Sequence, residues 1–202
     1  MTLKLHRARA LAAGALLALA GCGGFHSDRP AAQVYALDPV YAESKLPADS
    51  SAASLLVLRP QAAPGLDTEN IALRRSAQRL DYYAASRWPA PLPDFLQSLA
   101  VEALRASGKY RSVQAERAAF AADRVLQIEI RRFQAEYAGE GAPIVHVQLL
   151  ATLGRRDDHA VLASVSAESS VPAAENRMQA VVAAFQTAAA AALADLATRL
   201  PP

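Results

Sequence analysis

The chain has 202 residues, 52% of them hydrophobic, with 21 Lys+Arg against 19 Asp+Glu. That length suits one domain and a sizeable core. The near-neutral balance excludes the basic domain that nucleic-acid binding needs, and a single cysteine, Cys22, excludes a disulfide framework or a cysteine-built zinc site.

Lys4, Arg7 and Arg9 precede an apolar run from Ala10 to Ala20, and Leu19-Ala20-Gly21-Cys22 closes it. A basic start, a short apolar segment and small residues at the end describe a secretory signal. Its ending resembles the lipobox of bacterial lipoproteins, in which the cysteine is lipidated and becomes the new N-terminus. By that resemblance cleavage falls between Gly21 and Cys22, residues 1–21 are lost, and a covalent lipid on Cys22 anchors the chain. An ordinary signal with a buried cysteine is the weaker reading, because a lone cysteine in a secreted chain needs a reason. The signal removes three basic side chains, so 18 Lys+Arg then face 19 Asp+Glu. No later apolar stretch reaches the length of a membrane span without a polar break, so several acyl chains are expected to hold the protein at the membrane.

Residues 22–32 form the expected lipidated tether, since Gly23, Gly24, the polar residues and Pro30 cannot bury enough area to offset ordering. In enteric-type lipoproteins an Asp after the cysteine marks inner-membrane retention. Gly23 stands there, so the resemblance implies the periplasmic face of the outer membrane.

The domain proper is expected over residues 33–202. A first strand is read at Gln33–Leu37, ended by Asp38-Pro39, and a doubly buried strand at Leu55–Leu58, stopped by Pro60. Pro64-Gly65 marks a turn. Ile71 and Leu73, then Leu80 and Tyr82, alternate with polar neighbours as in two strands; a helix face through Ile71, Arg74, Arg75 and Gln78 is the weaker alternative. Three prolines within Trp88–Pro93 break the pattern before a helix over Asp94–Ser107. Its stripe is Phe95, Leu96, Leu99, Ala103 and Leu104, and Gly108 stands where a left-handed cap belongs. A short strand around Tyr110 and Val113 and a helical connector over Ala115–Ala122 follow.

Leu126, Ile128 and Ile130 alternate with polar residues, and then the apolar phase flips to Phe133, Ala135 and Tyr137. A strand cannot change phase without turning over, which predicts a bulge near Arg131-Arg132. Gly139–Gly141 makes a turn. Val145, Val147, Leu149 and Leu153 define one face of the next strand, Gly154–His159 a hairpin loop, and Val161, Ala163, Val165 and Ala167 the inward face of another. A closing helix over Ala174–Arg199 carries Met178, Val181, Val182, Phe185, Ala189, Leu193 and Leu196 at a period of 3.6. The fold class expected is α+β: an antiparallel sheet with one central and one C-terminal helix.

Several short motifs stand in order: Tyr35-x-Leu37-x-Pro39, Leu55-x-Val57-x-x-Pro60, Gly65-Leu66-x-Thr68-x-x-Ile71, Leu80-x-Tyr82-Tyr83 and Arg87-Trp88 before the helix ending at Gly108. Together they resemble the ABC-type transport auxiliary lipoproteins, the PqiC-like family, over roughly residues 33–199. The resemblance implies a non-enzymatic outer-membrane lipoprotein that docks the MCE-domain channel of an ABC-type lipid transport system, as a ring-like homo-oligomer, with no cofactor beyond the lipid on Cys22. Rivals of other classes are an assembly lipoprotein for the envelope or an outer-membrane barrel, and a periplasmic hydrolase.

Candidate site residues are few. Tyr82, Tyr83, Arg87 and Trp88 are of the types that anchor interfaces. The preferred alternative is that Trp88 and Tyr82 pack the helix on the sheet while Arg87 fixes a loop, because single buried aromatics mostly supply core area. His159 beside Asp157 and Asp158 falls short of the three or four convergent ligands a metal needs, so a solvated turn is expected. His146 is read as exposed or interfacial. Arg131-Arg132 and Arg155-Arg156 are read as solvated strand-end charges, too sparse for a lipid-headgroup patch. No catalytic triad or carboxylate pair can be assembled from these residues.

Overall fold

The computed structural model describes residues 31–39, 52–116 and 121–202. In chain order the elements are β1 (Gln33–Val34), β2 (Ser54–Val57), β3 (Gln61–Ala62), β4 (Asn70–Ser76), β5 (Arg79–Arg87), α1 (Leu92–Ala106), β6 (Ser112–Ala115), β7 (Arg124–Glu136), β8 (Ile144–Arg155), β9 (Val161–Pro172) and α2 (Met178–Arg199). Ala32–Pro202 is one compact unit. The signal, residues 22–30 of the tether with Cys22, and most of the loop after Pro39 lie outside the described residues, as does half of the helical connector expected over Ala115–Ala122; its described half is not helical, with Ala115 closing β6, Glu116 in a turn, and Ala121 and Ala122 in irregular chain.

The strands form one nine-stranded sheet with β7 at its centre. Along one edge β7 pairs with β8 antiparallel, and β8 pairs with β9. Its other edge is shared in succession by β2, β3 and β4, all parallel to it. β6 extends the sheet beyond β2, β5 beyond β4, and β1 beyond β5. The α+β class with a central and a C-terminal helix is what the fold shows, but the sheet is mixed rather than antiparallel throughout. The reason is local. The Pro60 and Pro64-Gly65 breaks kink the chain without reversing it, so β2, β3 and β4 keep one direction along β7, and α1 supplies the crossover that a parallel β6 requires. Hydrophobic periodicity carries no information about strand direction.

The phase flip in β7 is resolved as expected. The register with β8 slips between Ile130↔Leu149 and Arg132↔Gln148, leaving Arg131 as the extra residue. Leu126, Ile128 and Ile130 before the bulge, and Phe133 and Ala135 after it, are all buried on one face. Opposite them Val145, Val147, Leu149, Ala151 and Leu153 of β8 are fully buried. Both helices lie over this face, α2 against β8 and β9, and α1 beside α2. α2 is the one described helix long and apolar enough to cross a membrane, with half of its most apolar window buried inside the fold.

An aromatic cluster joins the layers. The Trp88 ring lies 5.6 Å from Phe95 of α1, 5.9 Å from Phe133 of β7 and 5.2 Å from Phe185 of α2, and Phe133 stacks on Phe185 at 5.1 Å. The proline-rich break after Trp88 turns the chain from the end of β5 onto the helix layer, with Trp88 N–H donating to Glu69 O and Leu92 N–H to Thr68 O. Arg59 clamps the same corner from outside, bonding Asp67 at 2.9 Å and Asp94, in the first turn of α1, at 3.1 Å.

Three boundary expectations change. β1 ends at Val34 instead of Leu37, because after Tyr35 N–H bonds Arg87 O the chain leaves the edge and buries Leu37 against the helices. Val161 is exposed rather than inward, because a second register slip, between Leu153↔Ala163 and Gly154↔Val161, turns it off the core face. α2 starts at Met178, four residues later than its alanines suggest; Arg177 before it is extended. The expected left-handed cap is present at Gly108, φ +64°.

Phe185→Ala is expected to cost about 3–5 kcal/mol, since it removes a buried ring that touches two other aromatics. Urea unfolding of the variant against the wild-type chain measures it.

Candidate functional site

The side-by-side helices leave a groove between them, and one short segment bridges it. Leu37-Asp38-Pro39 crosses the helix layer with Leu37 buried, and the Gln186 side-chain amide of α2 holds it at both backbone groups. Asp38 N–H donates to Gln186 Oε1 at 2.6 Å, and Gln186 Nε2 donates to Asp38 O at 2.9 Å. Beside this strap is an open cavity of about 360 Å³, within the size range of small-ligand sites. Its walls are Leu37, Pro39, Leu99 and Ala103 on one side and Ala190 and Leu193 on the other. Alanines along α2 do two jobs: Ala188, Ala189 and Ala192 are buried, while Ala190 and Ala194 form a low wall that keeps the groove open. At one end Lys109 Nζ donates to Thr198 O at 2.5 Å and Leu200 O at 2.9 Å, countering the negative end of α2. The site is apolar with a polar margin of Asp38, Ser107, Lys109, Gln186 and Thr198.

The opposite face of the sheet is polar. Glu136 of β7 accepts from Arg132 Nη2 and Gln134 Nε2, both at 2.7 Å, and lies 3.7 Å from His146 Nε2. His146 Nδ1 bonds Ser170 Oγ at 2.7 Å, and Arg132 also faces Glu168 at 3.9 Å. Burial pushes the Glu136 carboxyl up, but the Arg132 and Gln134 hydrogen bonds with the neighbouring charges outweigh it and hold it below the usual range. Burial, aided by the Arg132 charge, holds His146 below its ordinary value against the opposing pull of Glu136 and Glu168.

The sequence-derived candidates separate. Trp88 is in the core. Tyr82 is 41% exposed, and its hydroxyl donates to Gly65 O at 2.9 Å. Tyr83 is half-buried; its hydroxyl lies 2.9 Å from that of Tyr137, which also donates to Asn176. Burial, with the Tyr137 hydrogen bond, raises the Tyr83 phenol. Arg87 pairs with Glu69 at 3.2 Å on the surface. Thus Tyr82, Tyr83 and Arg87 line β5 while Trp88 points under α1. Asp158 accepts from Ala160 N–H and pairs with Arg155 at 3.0 Å, closing the loop that holds His159 at φ +60°. No group of three metal-ligating side chains occurs among the described residues. Arg131 is the exposed bulge residue, whereas Arg132 sits within the Glu136 network. Sequence reading missed the groove and its Gln186 fastening, because the two ends of that contact are 148 residues apart.

A model of the ABC-type transport auxiliary lipoprotein component matches residues 35–197, which includes the strap, α1, all but the last two residues of α2, and all strands but β1. The chain belongs to this family. Its role is therefore that of an auxiliary lipoprotein of an ABC-type transport system, located at a membrane of the cell envelope. Among solved structures, the chain is similar to a Xanthomonas campestris protein of the DUF330 family model, with 30% identity, a TM-score of 0.72, and 82% of this chain and 93% of that one covered. It shares the fold of an uncharacterized protein at 15% identity and a TM-score of 0.63, covering 84% and 98%. Among curated proteins none matches.

Two predictions test these contacts. His146 resists protonation in the fold but not in the unfolded chain, so unfolding takes up a proton and stability falls as pH drops below about 6.5. His146→Gln is expected to flatten that fall between pH 7 and pH 5 in urea midpoints, where the carboxylates are still largely ionised. Gly65 has φ +85°, and a Cβ there would meet Leu80 Cδ2 at 2.5 Å, so Gly65→Ala is expected to destabilise by more than about 1 kcal/mol in the same measurement.

Proposed function

We propose that this chain is a non-catalytic lipoprotein, anchored through lipidated Cys22 on the periplasmic face of the outer membrane. It docks the MCE-domain channel of an ABC-type lipid transport system there, as a ring-like homo-oligomer, and needs no cofactor beyond the lipid. The family match over residues 35–197 supports this reading, since its description is that of an auxiliary lipoprotein component of ABC-type transport. The apolar groove between α1 and α2 agrees with it: a surface for hydrophobic cargo needs apolar walls and a way in, and the groove has both. The lipobox and Gly23 support the anchor and its destination.

Purification of the native protein from membranes tests the docking. Recovery of an MCE-domain protein is expected; an outer-membrane barrel recovered without one would overturn the reading in favour of barrel assembly. Ala190→Phe with Ala194→Phe fills the groove from its partly exposed wall, and is expected to abolish complementation of a barrier-defective deletion strain while leaving the co-purified partner in place. Cys22→Ser is expected to release a folded domain into the soluble periplasmic fraction, with an unchanged urea midpoint.

A further inference from the structure

The register of β9 fixes which of its backbone groups are spare. Ala173 N–H donates to Pro143 O, continuing the β8 ladder in which Val171, Ser169, Ala167 and Val165 face Val145, Val147, Leu149 and Ala151. The alternate residues Ser164, Ser166, Glu168 and Ser170 therefore turn their N–H and C=O groups outward. Among the described residues β8 is the only strand paired with β9, so this edge is open. It is long, and β9 carries few of the usual edge blockers: one charge, Glu168, and one proline at its last position, Pro172. It is also self-complementary. Antiparallel pairing centred on Ala167 would set Ser164 opposite Ser170 of a second copy and Ser166 opposite its Glu168, with no like charges directly opposed.

One side chain interrupts this edge. Arg199, in the last turn of α2, reaches over and donates from Nη1 to Ser166 O at 2.8 Å, while the same nitrogen pairs with Asp195 at 2.9 Å. Ser166 O is the acceptor that the N–H of an incoming Glu168 would need. Asp195 lies four residues before Arg199 on α2 and braces the guanidinium from the helix. We propose that Arg199 is an edge guard, which keeps a second copy of this chain from adding its β9 to this sheet. The guard leaves assembly of the protein to other surfaces. It is independent of any transport role, because its readout is local to β9.

The test is hydrogen exchange of the outward amides of Ser164, Ser166, Glu168 and Ser170 in the detergent-solubilised full chain, at low and high protein concentration. Arg199→Met keeps the aliphatic stem and removes the donors. In that variant the four amides are expected to become at least tenfold more protected on concentration, while in the wild-type chain they do not change. Asp195→Ala, which removes the brace but keeps the guard, is expected to behave as wild type. Ser164→Pro added to Arg199→Met removes one outward N–H that the fold does not use, and is expected to restore wild-type exchange. Arg199→Met exchanging as wild type at both concentrations overturns the proposal. Concentration-dependent protection that survives Ser164→Pro overturns it equally, because the association then uses another surface.

Discussion

The structure depends on β7 being paired along both edges. On one side β8 covers it in a single ladder of twelve paired positions. On the other, three strands each add a few pairs: β2 at Arg124–Leu126, β3 at Glu129-Ile130, and β4 at Ala135-Glu136. Strands as short as the four-residue β2 and the two-residue β3 are not stable alone in water. Here they are held by a common edge and by side chains that enter the same core, as Leu55 and Val57 of β2 do at full burial. The Arg131 bulge makes this possible. Without the extra residue, Phe133 would face the polar side and the Trp88–Phe133–Phe185 contacts would be lost.

Once β7 presents one apolar face, the rest of the layer order follows. Two helices cover that face, and the other is left to solvent with its charges paired among themselves around Glu136 and Arg132. Exposed ion pairs contribute little to stability; their effect here is to keep a one-sided sheet soluble on its open side. The apolar surplus is on the helix side, where α1 and α2 meet over the aromatic cluster. Their alanine-rich contact does not fill the space between them, and the groove is what is left over.

Much of the fold was legible because its signals are local. Alternation marked β4, β5, β7, β8 and β9; the flip between Ile130 and Phe133 marked the bulge; the 3.6 period and Gly108 marked α1. What was hidden depends on pairing between distant segments. Strand direction along β7 is set by kinks that look like reversals, so an antiparallel sheet was expected where a mixed one exists. Val161 continues the alternation of β9 in the sequence, but the slip opposite Gly154 takes it off the core. Trp88 and Tyr82 looked like one motif, and their even spacing would put both on one face of a regular strand. The break in β5, with Ala85 at φ +48° and a register shift against β4 between Ala72↔Tyr82 and Asn70↔Arg87, sends Trp88 inward and leaves Tyr82 on the surface. The groove needed three elements to be placed together before it could be recognised.

The strap is the mechanically distinctive part of that groove. The sheet is joined by long ladders and the helices by buried aromatics, whereas Leu37–Pro39 is held by one buried side chain and the Gln186 amide. Segments with few buried contacts open at lower free energy than the core they cross. The strap also follows directly on β1. A load applied to the chain ahead of β1 acts first on the two-residue β1 pairing with β5 and then on the strap, before it reaches β7. A lightly held segment thus lies over the apolar groove. Opening there would widen access to the groove without disturbing the sheet beneath it.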